Sequence, residues 1–209
     1  MSFFPIFISM NDQALTSDFD LILQNVARFI DLTDEEKDLF KSLLKRGSAK
    51  RKEFVMRPGK VMKYEYFVTK GCLKVYSLDR NGVEHVSMFA IEDFWTGDMA
   101  SFMLQQPSTY FIKALEDSEF LMISKESFER LFDEIPKFER FYRNLYQRSL
   151  VSYIQRTNEG ISLTAEERYE IFLSKYPHIA NRIKQKDLAA YLGITPEFLS
   201  MIRSKMSKR

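Results

Sequence analysis

Between Gln185 and Arg203 the chain places apolar residues at Leu188, Leu192, Ile194, Leu199 and Ile202, with small Ala189 inside the first helical stretch and Gly193 at the bend. That is the spacing of a helix-turn-helix. Ala189 lets two helices approach, Gly193 accepts the backbone geometry of a tight turn, and the Leu/Ile set joins both helices to a small core. Thr195 is placed to cap the second helix and Pro196 to occupy its first position, where a missing N–H costs nothing. With Leu199 and Ile202 pointing inward, Pro196, Glu197, Ser200, Met201 and Ser204 fall on the outer face or its flanks, and such a face enters a DNA major groove. There Glu197 would accept from a cytosine amino group, Ser200 would donate or accept, and Thr195 and Pro196 would offer phosphate or thymine-methyl contacts. Lys184, Lys186, Arg203 and Lys205 are placed to neutralise phosphates. Double-stranded DNA is the expected partner.

Charge placement agrees. From His178 onward there are seven basic residues (Arg182, Lys184, Lys186, Arg203, Lys205, Lys208, Arg209) against two acidic ones, Asp187 and Glu197. Taken from the totals of 31 and 29, that leaves 24 basic and 27 acidic residues in the first 177, so the positive excess sits beside the proposed reading helix.

Other elements must position this motif. From Arg51 to Ile123, short apolar runs are broken by Pro58-Gly59, Lys70-Gly71, Asn81-Gly82, Glu92-Asp93 and Gly97-Asp98. Tyr64–Val68, Cys72–Leu78 and Glu84–Phe89 are rich in aromatic and β-branched residues, and Asp79-Arg80-Asn81-Gly82 is a strong hairpin turn. The rhythm predicts an antiparallel β-roll or jelly roll with one apolar interior. Helical spacing over Ser17–Phe29, Asp34–Leu44 and Ser124–Phe132 predicts flanking helices. Beyond Pro136 a longer helix begins, with a stripe of Ile135, Phe138, Tyr142, Leu145, Ser149 and Ser152 expected to face one partner surface along its whole length. Phe141, Tyr146, Leu150, Val151, Tyr153 and Ile154 lie beside it, so the helix must bury itself on its own domain and on something else; a parallel homodimer is expected. It is expected to give out near Asn158-Glu159-Gly160, after which Thr164-Ala165-Glu166-Glu167 reads as a capping box opening another helix that Tyr176-Pro177 stops. The plan is α+β: a sensor-sized β-roll over residues 1–135, a connecting and dimerisation helix over 136–160, and a helix-turn-helix domain over 161–209.

Composition excludes several classes. The 209 residues carry 45% hydrophobic and 29% charged side chains, as folded chains do. No apolar stretch approaches the roughly 20 residues that cross a bilayer, so no membrane partner is expected. The single cysteine, Cys72, forms no internal disulfide and supplies no thiolate set for iron-sulfur or structural zinc; its place in an apolar strand marks a core residue, and its solitude fits a reducing cytoplasm. His85 and His178 are too isolated for a haem or metal site, and no cofactor or catalytic set is expected. The first ten residues are apolar with Phe3, Phe4, Ile6, Phe7 and Ile8, but Pro5 interrupts them and no basic segment precedes them. Met10 is a more typical start, which leaves the leading segment as an upstream mis-start or a short docking strand.

Together the roll, long helix and C-terminal motif resemble the Crp/Fnr family of bacterial transcription regulators, over nearly the whole chain after about Asp18. The resemblance implies a cyclic-nucleotide-binding-type roll that senses a small effector, a long helix that pairs with its twin, two helix-turn-helix units on a near-palindromic site, and RNA polymerase as a further partner. The family's glycines in the roll are matched by Gly71, Gly82 and Gly97. Cyclic-AMP-binding members carry a Gly-Glu-Leu opening and an Arg-Ser-Ala ending ten residues after the glutamate. Here the stretch reads Gly97-Asp98-Met99, then Pro107-Ser108-Thr109: Asp98 falls at the ribose-binding carboxylate, but Ser108 falls at the phosphate-binding arginine, and no basic residue lies between Asp98 and Lys113. A buried cyclic phosphate would be poorly compensated there, so ordinary cyclic-AMP sensing is not expected. By position, Gly97, Asp98, Met99, Ser108 and Thr109 form the candidate pocket for an unknown small-molecule effector, whether it is empty, altered or purely structural. At the reading end, Glu197 matches the family, while Pro196 and Met201 stand where better-known members carry base-reading arginines, so a guanine-centred target does not carry over.

Two alternatives remain at this stage. A cupin-like metalloenzyme needs two or three histidines with a carboxylate on neighbouring strands, and the β-region contains His85 alone. A ligand-binding regulatory module without DNA binding is disfavoured only by the C-terminal motif.

Overall fold

The computed structural model describes residues 18–207. The reading of the first ten residues, and of Lys208 and Arg209 as part of a basic tail, lies outside the described residues.

Helices α1 (Asp18–Ala27) and α2 (Asp34–Leu43) precede the sheets. Thr33 opens α2 with a capping box, its hydroxyl accepting from the Glu36 amide while the Glu36 carboxylate accepts from the Thr33 amide. Eight strands follow: β1 (Leu44–Ala49), β2 (Phe54–Met56), β3 (Tyr64–Lys70), β4 (Leu73–Leu78), β5 (Glu84–Ala90), β6 (Trp95–Thr96), β7 (Phe111–Ala114) and β8 (Ser118–Ser124), with the short α3 (Met99–Leu104) between β6 and β7. They form two antiparallel sheets in the orders β1-β8-β3-β6 and β2-β7-β4-β5. The Asp79–Gly82 turn joins β4 to β5; Gly82 takes φ +79°, and the Asp79 carboxylate accepts from the amides of Asn81 and Val83. Strand β1 was not anticipated: Leu44 leaves the helix and pairs in register with Ile123.

The first core lies between the sheets and under α1, α2, α4 (Lys125–Glu134) and the start of α5 (Lys137–Ser162). Phe67, Leu73, Val75, Ile112 and Leu121 fill its centre. An aromatic cluster seats α5 on the roll: Tyr142 meets Phe128 at 4.6 Å, Phe141 at 5.0 Å and Trp95 at 5.6 Å between ring centroids.

Helix α5 corrects two expectations. Its 26 residues run past Gly160 and end at Leu163, where the Thr164 capping box starts α6 (Ala165–Lys175). One glycine costs a helix only about 1 kcal/mol, too little to end one that a strong downstream cap terminates cleanly. Nor does one stripe face one surface throughout. Ile135, Phe138 and Tyr142 are buried in the roll's own core, whereas Ser149 and Ser152 are exposed and the exposed apolar residues of the second half are Leu150, Val151, Tyr153, Ile154 and Ile161. The helix points its first turns inward and then leaves the roll, so the apolar face changes along its length.

After α6 come a single turn, α7 (Pro177–Ala180), and the pair α8 (Gln185–Leu192) and α9 (Pro196–Met206). These close a second core with Tyr169, Phe172, Ile179, Leu188, Ala189, Leu192, Leu199 and Ile202. The same core takes in Cys72, Tyr76, Val86, Phe89 and Ile91, which stand on the outer face of the second sheet. That sheet is therefore apolar on both sides, one against the roll interior and one against the helical head. No helix among the described residues is long and apolar enough to cross a membrane.

Candidate nucleic-acid interface

The C-terminal motif is built as its sequence requires. Helix α8 ends on Gly193 in the left-handed region, at φ +69° and ψ 34°, and the Ile194 amide donates to Ala189 O at 3.0 Å. Nothing would meet a Cβ at Gly193, so positive φ, rather than lack of space, is what asks for glycine there. Thr195 caps α9 by accepting from the Phe198 amide at 3.2 Å, and Pro196 takes the first helical position. The Gln185 amide group at the start of α8 donates to Pro196 O at 2.8 Å, tying the two helix beginnings together.

Leu199 and Ile202 are buried, and Thr195, Pro196, Glu197, Ser200 and Met201 are exposed. Glu197, Ser200, Met201 and Ser204 line one shallow groove with Gln185 and Pro196. Lys184, Lys186, Arg203 and Lys205 are exposed around it. Lys205 differs from the other three, because its ammonium sits 2.7 Å from a carboxylate oxygen of Glu166 on α6. Arg182, counted above with the local basic residues, serves inside the molecule instead.

Three cations that spacing alone does not single out hold this head against the roll. Lys74 of β4 reaches across to Asp187 of α8 and to Glu84 of β5, each at 2.7 Å, and lies over the Tyr76 ring. Burial opposes the Lys74 charge, but hydrogen bonds to Asp187 and Glu84 outweigh it and hold the ammonium above its ordinary pKa. Arg182 forks between Glu92 at 2.6 Å and Glu116 at 2.8 Å and also donates to Gly71 O at 3.0 Å; these bonds raise its already high pKa further. Arg156 of α5 donates to the carbonyls of Val86 and Ser87 on β5 and to Tyr191 O on α8, with its guanidinium 3.9 Å from the Tyr191 ring centroid. Long helix, sheet and head thus meet at one side chain. The visible signal in the sequence was Lys74, a charge in the middle of an apolar strand.

The candidate effector residues are placed in two ways. Asp98 is buried and caps α3, accepting from the Ser101 amide at 3.2 Å. Ser108 is buried and accepts from the Tyr110 amide at 2.9 Å. Met62 fills the space beside Gly97, where a Cβ would run into its methyl carbon, and its sulfur lies against the Asp98 amide. Met99 and Thr109 are exposed. Cys72 is buried beneath the head with its thiol pushed up to about 12 by burial, the opposite of a reactive thiolate. His85 pairs with Asp79 on the hairpin, and His178 is exposed. Among the described residues no three His, Cys, Asp or Glu side chains gather as a metal set.

A β-roll of two antiparallel sheets, a long helix leaving it and a helix-turn-helix head docked on its outer face define a cyclic-nucleotide-binding-type regulator architecture. The family model described as Cyclic nucleotide-binding domain matches residues 46–134. The chain is 25% identical over 193 residues to the fumarate and nitrate reduction regulatory protein of Yersinia pestis, covering 85% of this chain and 75% of the relative. It is 26% identical over 200 residues to the protein of the same name from Vibrio cholerae, with the same coverage of 85% and 75%. The solved structure of FixK2 from Bradyrhizobium japonicum matches the fold with a TM-score of 0.69 at 20% identity, covering 79% of this chain and 85% of that one. The chain thus carries a cyclic nucleotide-binding domain over residues 46–134 and is similar, over most of its length, to fumarate and nitrate reduction regulatory proteins.

Proposed function

We propose that this chain is a sequence-specific DNA-binding regulator that works as a homodimer, with α9 as its reading helix. The observation that carries the reading is the exposure of Thr195, Pro196, Glu197, Ser200 and Met201 on a capped helix whose opposite side, Leu199 and Ile202, is buried. Lys184, Lys186 and Arg203 stand around that face as phosphate contacts, with Glu197 and Ser200 toward base edges. The division of labour follows the chain: the roll expected over residues 1–135 senses, the helix expected over 136–160, which runs on to Ser162, connects and pairs, and the remainder to 209 reads DNA. Pairing is assigned to the second half of α5, where Leu150, Ile154 and Ile161 are 58%, 48% and 81% exposed at intervals of four and seven residues. Apolar side chains in that pattern suit a second copy of the same helix. Two heads fixed by such pairing read half-sites about one helical turn, roughly 34 Å, apart.

The effector reading stays with Gly97, Asp98, Met99, Ser108 and Thr109. A molecule entering there would have to displace Met62 and replace the bonds that Asp98 and Ser108 accept from the amides of Ser101 and Tyr110. RNA polymerase is the further partner of a regulator of this family.

Selection of bound duplexes from a random pool, with and without cell-extract metabolites, tests reading and sensing together. Near-palindromic half-sites, lost when five base pairs are inserted between them, are the expected result. Absence of duplex binding even at low salt would return the chain to the ligand-binding-module reading, and a monomer at micromolar concentration on its operator would remove the pairing.

A further inference from the structure

We propose that Met201 reads the C5-methyl group of a pyrimidine in the major groove, so that the base selected beneath the middle of α9 is thymine or 5-methylcytosine. This rests on the reading above that α9 enters DNA. At about 100° per residue, Glu197, Ser200, Met201 and Ser204 fall within one arc of roughly a quarter-turn, opposite buried Leu199 and Ile202. Together with Pro196 and with Gln185 of α8, these four side chains line a shallow groove on this face.

The arc has a definite chemistry. It holds one carboxylate, two hydroxyls and one thioether, and no cation; Arg203 and Lys205 project from the two sides of the arc, and Lys205 is engaged with Glu166. Guanine offers two acceptors to the major groove and is read by a two-pronged donor, which no residue of this arc supplies. Pyrimidines offer what the arc can use: the cytosine amino group suits an acceptor, and a C5-methyl suits an apolar side chain. Met201 is 65% exposed, so its sulfur and terminal methyl have apolar surface still to bury, and a flexible thioether adapts to a methyl without demanding one geometry. The Gln185 bond to Pro196 O fixes the first turn of α9, so Met201 is presented from a helix already held in place.

The test uses the full chain and the duplex recovered by selection. In one arm each thymine is replaced in turn by deoxyuridine, which removes only the methyl; in the other each cytosine is replaced in turn by 5-methylcytosine, which adds one. Wild type is expected to lose about fourfold in affinity per half-site when the contacted thymine loses its methyl, the worth of one buried methyl. If the contacted base is cytosine in the selected pool, methylation at that position gives a gain of similar size instead. Met201→Ala should bind methylated and unmethylated duplexes equally while keeping its helical circular dichroism, since the side chain is exposed and alanine favours helix. Equal binding by wild type in both arms, or discrimination that survives in Met201→Ala, would overturn this inference and leave the regulator reading standing. Retention of no duplex at all would remove both.

Discussion

Lys74 Nζ lies 2.7 Å from Asp187 Oδ1, and each side chain is only 3% exposed, although the two residues stand 113 apart in the chain. A strand in the middle of the roll and the first turn of the helix-turn-helix are thereby joined through charge rather than through apolar contact alone. Removing one partner leaves a buried charge without compensation, which costs far more than the pair is worth in the intact protein. Asp187→Ala is expected to lower stability by about 3 kcal/mol, with Glu84 retaining part of the Lys74 charge. The double variant Lys74→Met, Asp187→Leu should recover most of the loss. Urea unfolding of wild type, Lys74→Met, Asp187→Leu and the double variant closes the cycle, and additive losses would show that the ion pair is not what couples the two sites.

Glu65 on β3 is buried against α5, where Tyr146 donates to it at 3.0 Å, and its second carboxylate oxygen has no partner among the described residues. Desolvation raises its pKa from 4.5 to about 7, with the Tyr146 bond and the nearby Lys125 charge opposing the shift; the Tyr142 hydroxyl faces it from the same helix. The folded state therefore holds this proton more tightly than the unfolded state does. Its contribution is greatest below about pH 4.5, falls as pH rises toward 7 by about 3 kcal/mol, and is flat above that. Glu65→Gln should remove that slope and be the more stable protein at pH 8. Urea midpoints measured from pH 5 to 8 check it, and parallel curves for the two proteins would refute it.

The turn at the head can be weakened through its glycine or through its cap. Gly193→Ala places a side chain at φ +69° and is expected to cost about 1 kcal/mol; Thr195→Ala loses the cap on α9 and costs a similar amount. Gly193→Ala should lower the urea midpoint and leave site preference unchanged in competition assays, whereas Thr195→Ala, which also alters a proposed DNA-contacting residue, should lower the midpoint and weaken duplex binding besides.

On the proposed function, phosphate and base contacts should separate by salt. Lys184→Ala and Arg203→Ala should each lower affinity for every sequence and flatten the log–log salt dependence by about one phosphate contact. Lys205→Ala should do less, because its ammonium is already shared with Glu166 at 2.7 Å. Glu197→Ala should change which sequences are preferred and leave the salt slope alone. Equal losses for all four with one common slope would overturn these assignments.

The helix-turn-helix geometry was legible because its determinants are local: the αL glycine, threonine cap, helix-start proline and inward Leu/Ile set act within 20 residues of one another. The hairpin at Asp79–Gly82 and the capping box at Thr164 were legible for the same reason. Strand β1 was not, since Leu44 continues the apolar spacing of α2 and leaves the helix only because Ile123 of β8 pairs with it. The division of α5 into a buried start and an exposed end was hidden too, because an apolar stripe does not state which partner covers which turn. Val86, Phe89 and Ile91, with Cys72 and Tyr76, belong to a strand pair covered on both faces, whereas the sequence pattern led only to one apolar interior and gave no sign that the C-terminal head is the second cover. Arg182 counted with the basic excess beside the reading helix and Arg156 carried no signal, and only their distant carboxylate and carbonyl partners make them internal.

The second face of the β2-β7-β4-β5 sheet gives the two ends of the chain a shared fate. A head borrowed from a relative would have to offer a carboxylate at position 187, an arginine at 182 and matching apolar relief, or Tyr76 and Phe89 would be left facing water. On the proposed function, exchange of specificity would thus be confined to the few outward positions of α9, and wholesale transplantation of the C-terminal unit would yield a sticky, misassembled hybrid.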